Sequence, residues 1–181
     1  MAQPRVRNPA ILSLVIGLSL AVSNSQAADD SLEYQVKAAF LLNFIKFTEW
    51  PASAFTDSDS PISICILGVD PFGNDLDRVI AGESVNGRKV TVQKIKRAPP
   101  PKVCQVLFLS RAEKDVDKIL PALGPGVLTV GEGDSFIHDG GMISFIIENR
   151  RVRFDVNPTP ARNAGLNLSS KLLNVARSVE R

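Results

Sequence analysis

The stretch that most restricts what this chain can become is residues 31–51, SLEYQVKAAFLLNFIKFTEWP, which reads as one helix with more apolar surface than a single core face needs. At about 100° per residue, Leu32, Val36, Ala39, Phe40, Asn43 and Phe47 fall on one stripe, while Tyr34, Ala38, Leu41 and Ile45 fall on another nearly opposite. Ser31, or Asp30 before it, can accept hydrogen bonds from the free amides of a first turn, and Glu33 suits the positive end of the helix dipole. Pro51 biases Trp50 out of helical geometry, so the helix is expected to stop near Glu49 or Trp50. The first stripe is assigned to a sheet. The second is assigned to the late helices around Leu172 and Leu173, or to a partner.

Residues 1–27 have the form of an export leader. Arg5 and Arg7 make a positive start, residues 10–22 (AILSLVIGLSLAV) are an apolar run too short to span a bilayer, and Ser25 and Ala27 put small residues at −3 and −1 of a cleavage point near Ala27. No later stretch is apolar for about 18 residues, so the mature chain is expected not to span the membrane. Removing 27 of 181 residues leaves 154, enough for one domain over residues 28–181. The leader carries two of the 21 basic residues and none of the 19 acidic ones, so the mature chain balances at 19 of each. A neutral chain lacks the net electrostatic attraction on which nucleic-acid binding rests. The charges are unevenly spread: residues 57–83 hold six acids and one base, residues 88–102 six bases and no acid. Such runs serve either a partner or the solvated faces of different loops.

Along the chain, residues 62–68 (ISICILG) and 103–109 (VCQVLFL) read as strands covered on both faces. Further strands are expected at residues 88–96, 127–130, 142–147 and 152–156, the last two as a hairpin around Glu148, Asn149, Arg150 and Arg151. Helices are expected from Asp70 to about Ala81, from a Ser110/Glu113 capping box to about Leu120 where Pro121 bends or ends it, over residues 159–164, and over residues 169–177. The segment 131–141 (GEGDSFIHDGG) reads as a polar, Gly-rich loop anchored by Phe136 and Ile137. Strand-helix alternation followed by a late hairpin argues for an α/β fold: one three-layer sandwich domain with a mixed six-stranded sheet flanked by about five helices.

Chemistry-bearing residues are sparse. Cys65 and Cys104 each sit in a strand pattern, and an oxidising compartment lets them pair if the strands are neighbours; the alternative is two buried thiols that never meet. Closing a loop of that length would remove roughly 4 kcal/mol of unfolded-chain entropy. Two Cys and one distant His at no recognisable spacing argue against a metal, and no cofactor is expected. His138 has Ser135, Asp134 and Asp139 nearby, but there is no G-x-S-x-G elbow, and Glu132 with Asp134 lacks EF-hand spacing. On the hairpin, Phe145, Ile147, Val152 and Phe154 can share one side, and Arg151, Arg153 and Asp155 the other. Asn157, Arg162 and Asn163 follow as groups able to hydrogen-bond an anionic or zwitterionic ligand.

The N-terminal EYQVKAAFLLNFIKFTEWP, the central VCQVLFLS, and the C-terminal LTVGEGDSF, GGMISFIIENRRVRFDVN and AGLNLSSKLLNVAR together resemble the YfiR family of periplasmic proteins, in the expected order over nearly all of the mature chain. The resemblance implies an α/β sandwich. It also implies a non-enzymatic periplasmic repressor that binds and inhibits the external sensor domain of an inner-membrane signalling protein, a diguanylate cyclase or sensor kinase, lowering cyclic di-GMP and restraining biofilm formation. Cys65 and Cys104 match one structural disulfide of that family, whereas a second disulfide has no counterpart here. The other reading is a periplasmic protein that binds an aromatic or nucleotide-like small molecule near the first helix and hairpin, with Phe44, Trp50 and Arg153 as contacts. Partner- or ligand-binding candidates are therefore Tyr34, Leu41, Phe44, Ile45, Trp50, Arg153 and Asn157; a homodimer is left open.

Overall fold

The computed structural model describes residues 23–180, with side chains from residue 31, so nearly all of the expected leader lies outside the described residues. The chain runs through α1 (Ser23–Lys46), β1 (Thr48–Glu49), a 3-10 turn (Ala52–Ala54), β2 (Ile62–Leu67), α2 (Asp75–Ile80), β3 (Ser84–Val85), β4 (Arg88–Ile95) and β5 (Val106–Leu109). It continues through α3 (Val116–Ala122), β6 (Leu128–Glu132), α4 (Ser135–His138), β7 (Ile143–Glu148), β8 (Arg151–Val156), α5 (Pro158–Asn163), β9 (Asn167–Leu168), α6 (Ser170–Val175) and β10 (Ser178–Val179). The main sheet has the order β10-β8-β7-β6-β5-β2-β4-β3. β4, β2, β5, β6 and β7 are parallel, and β8 closes the hairpin antiparallel to β7. The six long strands fall where the sequence pattern puts them. The sheet nevertheless counts eight, because two-residue strands β3 and β10 extend its edges, and β1 with β9 makes a separate ribbon.

Alternation along the strands divides the interior into two layers. Ile62, Ile64 and Ile66 of β2, Val106 and Phe108 of β5, and Leu128 and Val130 of β6 face α1 and α2. Cys65, Leu67, Leu107 and Leu109 face the other way, toward Val116, Ile119 and Leu120 of α3 and Phe136 of α4. This is the three-layer arrangement. Cys65 and Cys104 meet in the second layer as a disulfide with a Cα–Cα distance of 5.8 Å, because β2 and β5 are direct neighbours.

Helix α1 inverts the assignment of its stripes. Ala38, Leu41 and Ile45 are fully buried, together with Phe44, whereas Leu32 is 60% and Val36 37% exposed. The second stripe is the core face; the first is the outer one, with Phe40 and Phe47 tucked at its margin. The helix also stops at Lys46, before the expected Glu49 or Trp50. Thr48 donates its hydroxyl to the Phe44 carbonyl at 2.7 Å, and Thr48 and Glu49 then pair with Leu168 and Asn167. Ser31 does not cap the helix, which begins at Ser23.

Three other boundaries differ for local reasons. Asp70 accepts the Phe72 amide at 2.8 Å and Gly73 has φ +57°, so residues 70–73 form a turn and α2 starts only at Asp75. Ser110 and Glu113 make a turn rather than a capping box: the Glu113 carboxylate accepts the Lys114 and Asp115 amides, and α3 starts at Val116. The 131–141 loop contains the short helix α4, and its Phe136 and Ile137 are buried anchors as expected. A Cβ on Gly131 or Gly141 would lie 2.3 or 2.2 Å from the Phe136 ring. Gly141→Ala is therefore expected to cost about 1–3 kcal/mol by overpacking, and a urea midpoint equal to the parent's would show that the ring can move aside.

The hairpin turns through Asn149 and Arg150, both at positive φ (51° and 61°), the two-residue geometry whose twist matches the flanking strands. Asn157 caps α5 by accepting the Thr159 amide at 3.0 Å. The acidic and basic runs fold onto one another: Arg88 donates to the Asp57 and Ser60 carbonyls, and Lys94 pairs with Asp70 at 2.7 Å.

Candidate functional site

Reversal of strand order between β2 and β5 creates a switch point, and crevices outside the carboxyl ends of strands at such points are where open α/β sheets hold ligands. Two groups of side chains converge at this edge. The first lies under α1. Lys37, only 1% exposed, reaches both Glu33 on its own helix and Glu132 at the end of β6. The Tyr34 hydroxyl donates to Glu132 Oε1 at 3.1 Å, and Glu132 Oε2 accepts the Arg111 amide at 2.8 Å. The Lys37 ammonium also stands 4.4 Å from the Tyr34 ring centre. Burial, and next the Glu132 carboxylate, push the Tyr34 phenol above its ordinary value. Glu132 is thus fully engaged by α1 on one side and by the β5 exit on the other.

The second group lines a cavity of about 280 Å³ on the α3 and α4 side of the same edge. Ser110, Arg111 and Glu113 come from the β5 exit, Glu132 and Gly133 from the end of β6, and Asp139 from the end of α4. Its floor is Leu109, Val116 and Phe136. A larger depression of about 370 Å³ at the opposite edge, between Leu120, Val127, Met142 and Pro160, has no ionisable side chain in its wall.

The candidates read from the sequence scatter. Leu41, Phe44 and Ile45 are fully buried and so are not surface residues; Phe44 lies 4.9 Å from Phe154 and 5.5 Å from Phe145, ring centre to ring centre. Trp50 is half-buried and donates to the Gln105 carbonyl at 3.3 Å, at the amino end of β5. Arg153 is exposed, and because it alternates with Phe154 it points away from Phe44. Phe44, Trp50 and Arg153 therefore do not share a pocket. Asn157 is taken up by its cap and by Glu180 at 2.9 Å. Tyr34 belongs to the Glu132 cluster. The sequence reading missed Lys37 altogether and took Ser110 only for a helix cap; the pairing of Glu33 with Lys37 four residues on, a spacing that usually marks a wet helix face, hid the first. His138 is an exposed side chain with Glu180 3.5 Å away and makes no triad with Ser135. Among the described residues no His, Cys, Asp and Glu group could hold a metal, and no helix is long and apolar enough to cross a membrane.

The sequence profile of the YfiR/HmsC-like family matches residues 34–177, from Tyr34 on α1 to Arg177 beyond α6. The chain belongs to the YfiR/HmsC-like family. Members of this family are periplasmic regulators, which is the general role the assignment supports for this one. No curated protein sequence matches the chain. Among solved structures, a conserved domain protein from Vibrio cholerae O1 biovar eltor is similar with a TM-score of 0.49 at 11% identity. The ABC domain from Streptococcus pneumonia, solved in complex with L-Trp, gives 0.47 at 11%. Either comparison covers 79% of this YfiR/HmsC-like chain but only 60% of the other. At that level the chain's own strand order, rather than the likeness, defines its fold.

Proposed function

We propose that this protein is a non-enzymatic periplasmic regulator that binds and inhibits the external sensor domain of an inner-membrane signalling protein, a diguanylate cyclase in preference to a sensor kinase, and so lowers cyclic di-GMP. In this reading the leader ends near Ala27 and residues 28–181 act as one domain. Inhibition follows from preferring the partner's inactive conformation, since a ligand shifts an equilibrium only through differential affinity. Family membership supports the regulatory role. The observation that carries a surface for it is the outer stripe of α1. Leu32 and Val36 are exposed on the turns that precede Phe40, and Ile147, 41% exposed, lies two residues beyond Phe145 on the strand face that Phe40 covers. All three lie toward the carboxyl edge of the sheet, where apolar side chains without a partner cost solvation that an interface would recover.

Leu32→Glu with Val36→Glu is expected to weaken binding to the sensor domain at least about tenfold while leaving the urea midpoint within error of the parent. Cells carrying the double variant should show raised cyclic di-GMP and increased surface attachment. Unchanged cyclic di-GMP on deleting the protein, in cells where a co-transcribed cyclase is present and expressed, would remove the repressor reading.

A further inference from the structure

The cavity at the end of β5 and β6 has chemistry that the partner reading does not use. Ser110 is 92% buried, lines the cavity, and its hydroxyl has no hydrogen-bond partner among the described residues. Its oxygen keeps accessible surface and so is open to a donor or acceptor bound in the cavity. Glu113 spends one carboxylate oxygen, Oε1, on the Lys114 and Asp115 amides, leaving Oε2 beside Gly68 at the end of β2. Asp139 stands at the rim, and the only cation in the wall is Arg111. Acid thus outweighs base around an apolar floor, at the carboxyl edge of the sheet where β5 and β6 end. An anion is disfavoured by that balance. A metal is disfavoured because no suitable donor cluster exists among the described residues.

We propose that this cavity binds a small molecule carrying a primary ammonium group on a short apolar body. The ammonium is held by Glu113, Asp139 and the Ser110 hydroxyl, and the body lies on Leu109, Val116 and Phe136. At about 280 Å³ the cavity suits a compound of amino-acid size rather than a drug-sized one. The ammonium is common to simple alkylamines and to α-amino acids, which differ in whether Arg111 has a carboxylate to bind. The site does not depend on the regulatory reading.

Titrating the purified protein with n-butylamine and with norleucine, each followed by backbone amide shifts, tests it; n-butanol is the uncharged control. Saturable shifts of Ser110, Gly133 and Phe136 are expected with at least one ammonium probe and not with n-butanol. Glu113→Gln and the rim variant Asp139→Asn should each weaken binding at least about tenfold without moving the urea midpoint, as expected for loss of a charge-assisted contact. Arg111→Ala then separates the two sources, weakening norleucine alone if amino acids are the class and neither probe if simple amines are. No saturable shift with either probe at millimolar concentration, equal shifts with n-butanol, or affinities untouched by both carboxylate variants would overturn the site.

Discussion

Lys37→Met is expected to destabilise the protein by about 3–5 kcal/mol, the range for removing one partner of a buried ion pair and leaving the other uncompensated. Lys37 and Glu132 side chains are each only 2% exposed, so solvent cannot replace the lost ammonium. The companion variant Lys37→Met/Glu132→Gln should recover most of the loss. Its amide oxygen still accepts from the Tyr34 hydroxyl or the Arg111 amide, and no buried charge is left over. Urea unfolding measures both. A single-variant loss below about 1 kcal/mol would mean that water reaches Glu132 and that the pair does not lock α1 to the sheet.

Cys65→Ala/Cys104→Ala is expected to cost roughly 4 kcal/mol, since the bond closes a loop with a sequence separation of 39 and its absence restores that freedom to the unfolded chain. Both cysteines are at most 1% exposed, between the sheet and the α3 layer. Reductant added to the folded protein should therefore leave the bond intact, and cleavage should follow unfolding. Rapid reduction of the native protein, followed by mass after alkylation, would instead identify the bond as a switch. Such a switch would have to operate without the second disulfide that the family resemblance would lead one to seek.

Most of the fold was legible because its signals are local and redundant. The β2 and β5 runs are buried throughout and apolar at every position but Ser63, a pattern that goes with a sheet covered on both faces and needs no partner to be read. Asn149 and Arg150 sit between two alternating strands, and the hairpin follows. The short strands β1, β3, β9 and β10 were not legible. Two residues carry no periodicity; β1, β9 and β10 pair only because a distant segment supplies the edge, as Leu168 does for Thr48, and β3 pairs with β4 across the tight turn at Asn86 and Gly87. The α2 and α3 starts were misplaced because Asp70 and Glu113 satisfy turn amides as readily as helix amides.

The candidate site was hardly legible at all. Glu33 and Lys37 look like a surface pair, yet Lys37 turns inward because Glu132 arrives at that depth from a strand 95 residues away. Ser110 looked like a helix cap and instead lines a cavity.

By itself, the sequence determined the strands, the alternation that makes an α/β sheet, the two cysteines available for pairing, the family, and a first helix with two apolar stripes. Only the tertiary structure decided which stripe is core. Spacing reports that two faces are apolar, but the free energy of burial depends on what stands opposite. Tyr34, Ala38, Leu41 and Ile45 meet the sheet, with Lys37 among them neutralised by Glu132, while Leu32 and Val36 face outward.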